Sequence, residues 1–533
     1  MFLLYNTKVV NKSEIKKRKM IEGPIAKQLI IFALPLLMAN LLQQLLNTTD
    51  AIIVGNLIGP YPLTGVTQAG RVIWVLNSLF MGIGVGAGVV ISHFYGAKDK
   101  ENYSKAIHTT IVMGAVLGLI VTGVGIVTTR PLLNMMGLGP DSVLYQYAYD
   151  YLMVYFIGVI FVFIFNMGAG ILRAVGDSVT PLILLFVAVT LNIGLTILFL
   201  QVFNFGVVGL AVSTIISQAV ATVLVLLKLF LTKNDYKMSI KKLRIDKKIF
   251  IKILRIGIPV GLNTSIIASA HIFMQAYTNA FDIPYYPHAP HGTGVAVYGK
   301  IDGFVYMPMM AMSLALTTFV GQNIGADRED RAKKAIKITF LISLIMTLML
   351  GVAVFFSGQH IMSLVAPQMT DEAMAVAIRF MSVVVFAYPV LMFNDTISGA
   401  LRGAGKALVP SIILVACMFG VRLLFLFFAI DLGGMDILAV FLTFPIAWGV
   451  SSICMFVYYL KSGLKKKEKA DGEEQCLRTE LVDKALAEVS LLPRQIGLET
   501  TLEGKREEVI KEEKMESNDL KIINDENSLN IME

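Results

Sequence analysis

The chain has 533 residues and a mass of 58.4 kDa; 56% of its residues are hydrophobic, only 16% are charged, and the mean hydropathy is +0.70. A water-soluble protein carries about 25% charged residues and 45–50% apolar ones, so this composition excludes a soluble enzyme or binding domain. The net charge of +8 is unevenly spread: residues 461–533 hold 13 Lys/Arg and 18 Asp/Glu, so the positive excess lies in the apolar part, where it sets membrane topology and does not point to nucleic acid.

A basic segment, 1–27, precedes a long apolar run that contains Asp50 and lacks a small-residue cleavage site, which reads as a first membrane helix and not as a removed signal peptide. Apolar runs of about 20 residues, enough to span a bilayer, recur twelve times: 28–57, 72–95, 107–129, 144–172, 181–203, 206–231, 256–281, 301–324, 337–357, 374–401, 410–430 and 437–460. With the N-terminus cytoplasmic, 28 Lys and Arg, Arg173 among them, fall in inner segments, against Arg71, Arg130 and Lys300 outside. This bias orients a multi-pass protein with both termini in the cytoplasm, and the lack of a transit peptide makes the plasma (inner) membrane its expected location. The polar stretch 232–255, with KKLRIDKK at 241–248, divides an N-lobe over 28–231 from a C-lobe over 256–460. Beyond it, 461–533 reads as a charged tail, disordered or loosely helical.

The two halves repeat. At an offset of 229, Gly65, Gly70, Gly96, Arg173, Gly176 and Pro181 fall on Gly294, Gly299, Gly325, Arg402, Gly405 and Pro410, while Pro35 and Pro259 pair at 224. Equivalent points are six helices apart, so the expected fold is an all-α integral membrane protein of two six-helix bundles, related by a parallel repeat about an axis along the membrane normal.

Within the first run Asn40, Gln43, Asn47 and Asp50 are spaced 3, 4 and 3 and share one helix face. A carboxylate within a span is expensive in lipid, so it faces a cavity or a partner; there it can bind and release a proton or, with neighbouring oxygens, hold a small cation. Pro35 in the same helix removes a backbone hydrogen bond and leaves room for a hinge. Weaker polar candidates are Asn192 and Thr196 in the fifth run, Asn263 and His271 in the seventh, and Tyr388 and Asp395 in the tenth. Cys417, Cys454 and Cys476 lack metal-ligand spacing, and no phosphate-binding loop is present. The glycines at 82, 84, 86 and 88 lie inside an apolar run and read as close helix packing, and His288 and His291 as incidental loop residues.

EGPIAKQLIIFALPLLMANLLQQLLNTTDAIIVGNLIG at 22–59, ILRAVGDSVTP at 171–181, TTFVGQNIGADREDRAKKAIK at 317–337 and ALRGAGKALVP at 400–410 resemble the multidrug and toxic compound extrusion (MATE) family over about 25–460. The resemblance implies no enzyme and no cofactor. It implies a secondary exporter that exchanges H⁺ or Na⁺ for small organic, often cationic, compounds by alternating access, acting as a monomer among membrane lipids. Asp50 matches the family's first-helix coupling aspartate and Asn192 a fifth-helix asparagine, with Asn47 and Thr196 alongside; Thr196 stands where an aspartate is expected. Ile267 and Leu391 occupy positions that carry acids in the NorM-like branch, so coupling centres on Asp50. The cavity is expected to use Asn40, Gln43, Asn263, His271, Tyr388 and Asp395. The alternative reading is a flippase for a lipid-linked saccharide of the same superfamily.

Overall fold

A computed structural model describes residues 20–283 and 289–464, apart from the side chains at 268, 269, 271 and 272. Most of the N-terminal segment, His288, the His271 side chain and nearly all of the charged tail lie outside the described residues. Each of the twelve apolar runs is a helix long and apolar enough to cross a membrane: α1 Ile25–Leu57, α2 Pro60–Gly96, α3 Lys100–Met135, α4 Val143–Ala174, α5 Val179–Val202, α6 Gly206–Leu231, α7 Lys247–Asp282, α8 Pro290–Gly325, α9 Glu329–Val365, α10 Asp371–Gly403, α11 Leu408–Leu432 and α12 Leu438–Ser462. The described residues contain no strand. Large apolar side chains such as Val127, Phe356 and Leu364 face outward, 76%, 77% and 81% exposed, as a lipid-facing surface requires.

Several helices outrun their apolar segments. α2 and α8 begin 12 and 11 residues before the expected 72 and 301, and α7 begins at Lys247, within the stretch read as linker. Hydropathy reports only the stretch in hydrocarbon, whereas the helix ends where its backbone finds a cap. Asp99 accepts from Asn102 N at 3.0 Å, Asp177 from Thr180 N at 2.9 Å and Asp246 from Ile249 N at 3.0 Å. Pro60 and Pro290 start their helices directly after residues of positive φ, Gly59 and Ala289. The Asp282 carboxylate at the end of α7 accepts from the His291 and Gly292 amides and so caps α8.

The offset of 229 reappears in the backbone. α2 and α8 end at Gly96 and Gly325, α3 and α9 begin at Lys100 and Glu329, and α4 and α10 end at Ala174 and Gly403. Lys98 and Asp327 both take positive φ (58° and 57°), as do Gly176 and Gly405 (90° and 81°). A side chain on Gly96 would fall on the carbonyl of Gln322, and one on Gly325 on that of His93. The polar groups beside that crossing are exchanged in the same reciprocal way: the His93 ring bonds the carbonyl of Gly403 through Nε2 at 2.6 Å, and Gln322 Nε2 donates to that of Ala174 at 2.7 Å. The crossing of α2 and α8 therefore joins the two halves backbone to backbone on the face that carries the described ends of the chain. The same face holds the entering chain, where Asn323, Arg328 and Arg331 donate to the carbonyls of Met20, Ile21 and Gly23.

α1 and α7 each run through two cores. Leu29, Phe32 and Leu36 pack with the second six helices, whereas Leu46 and Val54 pack with the first. Conversely Ile249, Ile253 and Val260 of α7 join the first set and Met274 the second. Pro35 and Pro259 lie just before the passage from one core to the other, since Leu36 still packs with the second core and Val260 with the first. α7 approaches α2 at glycines, Gly257 and Gly261 against Gly82 and Gly86, so backbone meets backbone.

In the second core Tyr298 and Tyr388 are fully buried, their hydroxyls 2.7 Å apart, and Tyr388 donates to Asp302 Oδ1 at 2.8 Å. Arg422, 3% exposed, lies over the Phe444 ring with its guanidinium carbon 4.5 Å from the centroid. Asp302 is half-buried, so removing its donor costs about 1 kcal/mol, the low end of the range for an unsatisfied acceptor. Tyr388→Phe is thus expected to lower the thermal unfolding midpoint of the detergent-solubilised protein, and an unchanged midpoint would show that this bond carries no stability. Valine at Gly96 cannot be accommodated while α2 touches α8. A cysteine at Thr317, in a chain otherwise free of cysteine, should then react about threefold faster or more with a membrane-impermeant thiol reagent applied from the face of the chain ends; equal rates would refute this role for the crossing.

Candidate functional site

The polar stripe of α1 meets two environments. Asn40 and Gln43 line a cavity of about 220 Å³ enclosed by α1, α2, α4, α5 and α8. Leu36, Met81, Phe165, Met310 and Leu314 form its apolar wall, and Asn166, Arg173, Ser178, Thr317 and Thr318 are its other polar residues. Further along, Asn47 is exposed and Asp50 reaches a second cluster, between α1, α4, α5 and α6.

There the amide of Asn192 is oriented by its neighbours. Its nitrogen donates to Asp50 Oδ1 at 3.3 Å, and its oxygen accepts from Thr214 N at 3.3 Å and Thr214 Oγ1 at 3.2 Å. Tyr151 lies beside both Asp50 and Thr214. Thr196 is fully buried one turn from Asn192, its hydroxyl 2.6 Å from that of Ser213. One carboxylate thus stands among an amide and several hydroxyls, an arrangement able to take up a proton or to offer oxygens to a small cation. Among the described residues no three His, Cys, Asp or Glu gather as metal ligands.

The second half arranges its polar residues differently. Tyr388 is fully buried core and not cavity wall, and its hydroxyl donates to the half-buried Asp302. Asp395 lies beside Tyr306 and Arg402, and Arg402 Nη2 donates to Ser313 Oγ at 2.9 Å. Asn263 is buried in α7. None of these three lines the cavity that holds Asn40 and Gln43, so the cavity set expected from sequence is brought together only in part.

Sequence reasoning missed Asp302, Tyr151, Thr214 and the position of Arg173. The rule that flagged Asp50, a charge within a span, applies equally to Asp302; drawing the eighth run from 301 put that residue at its edge. Arg173 was counted with loop cations, yet it sits in the last turn of α4 and lines the cavity. Tyr151 and Thr214 carried no signal, since hydroxyls in membrane helices commonly bond their own backbone.

The MatE family profile matches residues 35–198 and 288–428. The probable multidrug resistance protein YoeA of Bacillus subtilis is 28% identical over 445 residues, 81% of this chain and 93% of that protein. The probable multidrug resistance protein NorM of Thermotoga maritima is 26% identical over 75% of this chain and 84% of its own length. A solved structure described as the outward-facing conformation of a multidrug resistance MATE family transporter shares the fold, with a TM-score of 0.76 at 22% identity over 84% of this chain and 98% of that one. Another, of a MATE protein in its bent conformation, has a TM-score of 0.77 at 21% identity over 84% and 97%. With more than half of its length matched by the family profile and all twelve helices present, the chain belongs to the MATE family of membrane transporters.

Proposed function

We propose that this protein is a multidrug exporter of the plasma (inner) membrane, with both termini cytoplasmic, that exchanges H⁺ or Na⁺ for organic compounds by alternating access. Asp50 is its coupling residue. The observation that carries the reading is the carboxylate of Asp50 accepting from Asn192 with Tyr151 beside it, both held by Thr214, between helices where lipid offers no alternative partner. Multidrug resistance relatives that align with about three quarters or more of the chain support the cargo class.

In this mechanism the face of the chain ends closes through α2 and α8 while the ion binds near Asp50. Neutralising that carboxylate changes its hold on Asn192, and the two bundles rock, with α1 bending at Pro35 because its two ends belong to different cores. One elementary charge crossing about 150 mV supplies roughly 3.5 kcal/mol, which at about 1.4 kcal/mol per tenfold sustains a gradient of a few hundredfold. A single carboxylate is energetically sufficient.

Efflux of a cationic and a zwitterionic fluorescent dye, under separately imposed pH and Na⁺ gradients, tests this. Wild type should export at least one dye under one gradient, which names the ion. Asp50→Asn should lose about tenfold or more of that coupled rate; export at the wild-type rate would remove Asp50 from the coupling role. Pro35→Ala restores a backbone hydrogen bond and stiffens α1. It is expected to leave dye binding within about twofold while slowing turnover about tenfold, and equal losses in both would deny it a hinge function.

A further inference from the structure

Arg173 and Arg402 are equivalent by the offset of 229 and both close a helix at the same depth, in the last turns of α4 and α10. A cation is favoured at a helix C-terminus, which explains why both halves keep an arginine there. Their surroundings differ. Arg402 donates to Ser313 and has Asp395 beside it. The positions equivalent to Ser313 and Asp395 are Gly84 and Asn166, so both partners are missing in the first half. A side chain on Gly84 would meet nothing within 4 Å, and the Asn166 amide nitrogen is engaged with the carbonyl of Val162 at 2.9 Å. The Arg173 side chain makes no ion pair or hydrogen bond to any described residue. Gly84, Asn166 and Arg173 all line the central cavity, and no carboxylate does.

We infer that Arg173 is a substrate-recognition residue and that the cavity takes the acidic group, a carboxylate or a phosphate, of an amphipathic ligand. A guanidinium within low-dielectric walls needs an anion or several acceptors to repay its desolvation. In the second half the protein supplies them through Asp395 and Ser313; in the first half the vacated space is left for the ligand. The planar donor fork suits an oxyanion bound through two hydrogen bonds. Ser178 and Thr318 add polar groups to the lining, and Met81, Phe165 and Met310 provide an apolar wall for the rest of the molecule. Substrates with an acidic group, zwitterions included, are therefore preferred over purely cationic ones. The inference rests on the exporter reading only in taking this cavity as the substrate path.

The test is equilibrium binding to the full chain in nanodiscs of zwitterionic phosphatidylcholine, using a rhodamine with a free benzoate and the methyl ester of the same dye. Wild type should bind the acid more tightly. Arg173→Gln should weaken the acid about tenfold or more, the size of a lost charge-assisted contact, and the ester less than about twofold, while Arg173→Lys should keep most of the preference for the acid. Asn166→Asp retains the arginine but restores the carboxylate that its counterpart has, and should abolish the preference. Adding phosphatidylglycerol separates the two sources of the oxyanion: competition with the acid dye supports the site and names a lipid headgroup as an occupant, whereas its absence supports a soluble organic acid. Ester bound as tightly as acid, or equal losses for both dyes in Arg173→Gln, would overturn the inference and leave the exporter reading standing. Binding of neither dye to wild type would overturn both.

Discussion

Hydrocarbon cannot satisfy an amide, a hydroxyl or a carboxylate, so twelve helices close their backbone hydrogen bonds internally and turn their polar side chains away from lipid. The position of every functional group in this protein follows from that constraint. Asp50 finds Asn192, Asp302 finds Tyr388, and Arg402 finds Ser313 and Asp395. Helices approach most closely where side chains are absent: Gly82 and Gly86 admit α7 to α2, and Gly96 and Gly325 admit α2 and α8 to each other. With no hydrophobic force to press helices together in lipid, such backbone contacts and the polar bonds beside them hold the assembly.

The repeat and its violations do different work. Where the halves agree, they build the contact between them: His93 bonds the end of α10, Gln322 bonds the end of α4, and the residues involved stand at a constant offset. Where they disagree, chemistry becomes specific. Asp50 has its partners in the first half, Asp302 and the two buried tyrosines are in the second, and the paired arginine of one half corresponds to an unpaired one in the other. In the proposed cycle the repeated scaffold opens and closes about its axis while its interior remains chemically one-sided.

α1 links the two behaviours. Its first turns are embedded in the second core and its last turns in the first, with Pro35 between them and the stripe of Asn40, Gln43, Asn47 and Asp50 beyond. Cavity wall and half-buried carboxylate are thus carried on one helix. In the proposed cycle a change in charge at Asp50 is transmitted to the cavity along a single rigid element with one weak point.

The number of helices, their apolar character, the repeat and the presence of a carboxylate, Asp50, within a span were legible in the amino-acid order, because lipid imposes a length and a polarity on every spanning segment and makes each charge within one conspicuous. Helix ends were not, since α2, α7 and α8 continue past the hydrocarbon until a proline, an aspartate or a close contact stops them. Nor did spacing along one helix reveal which residues meet across helices. Asn40 and Asp50 share a face of α1 yet serve different sites, Tyr388 proved to be core because Asp302 required its hydroxyl, and Arg173, read as a loop cation, faces the cavity. Periodicity describes a helix about its own axis; which neighbour stands opposite each face, and which groups that neighbour lacks, is decided only when the helices pack.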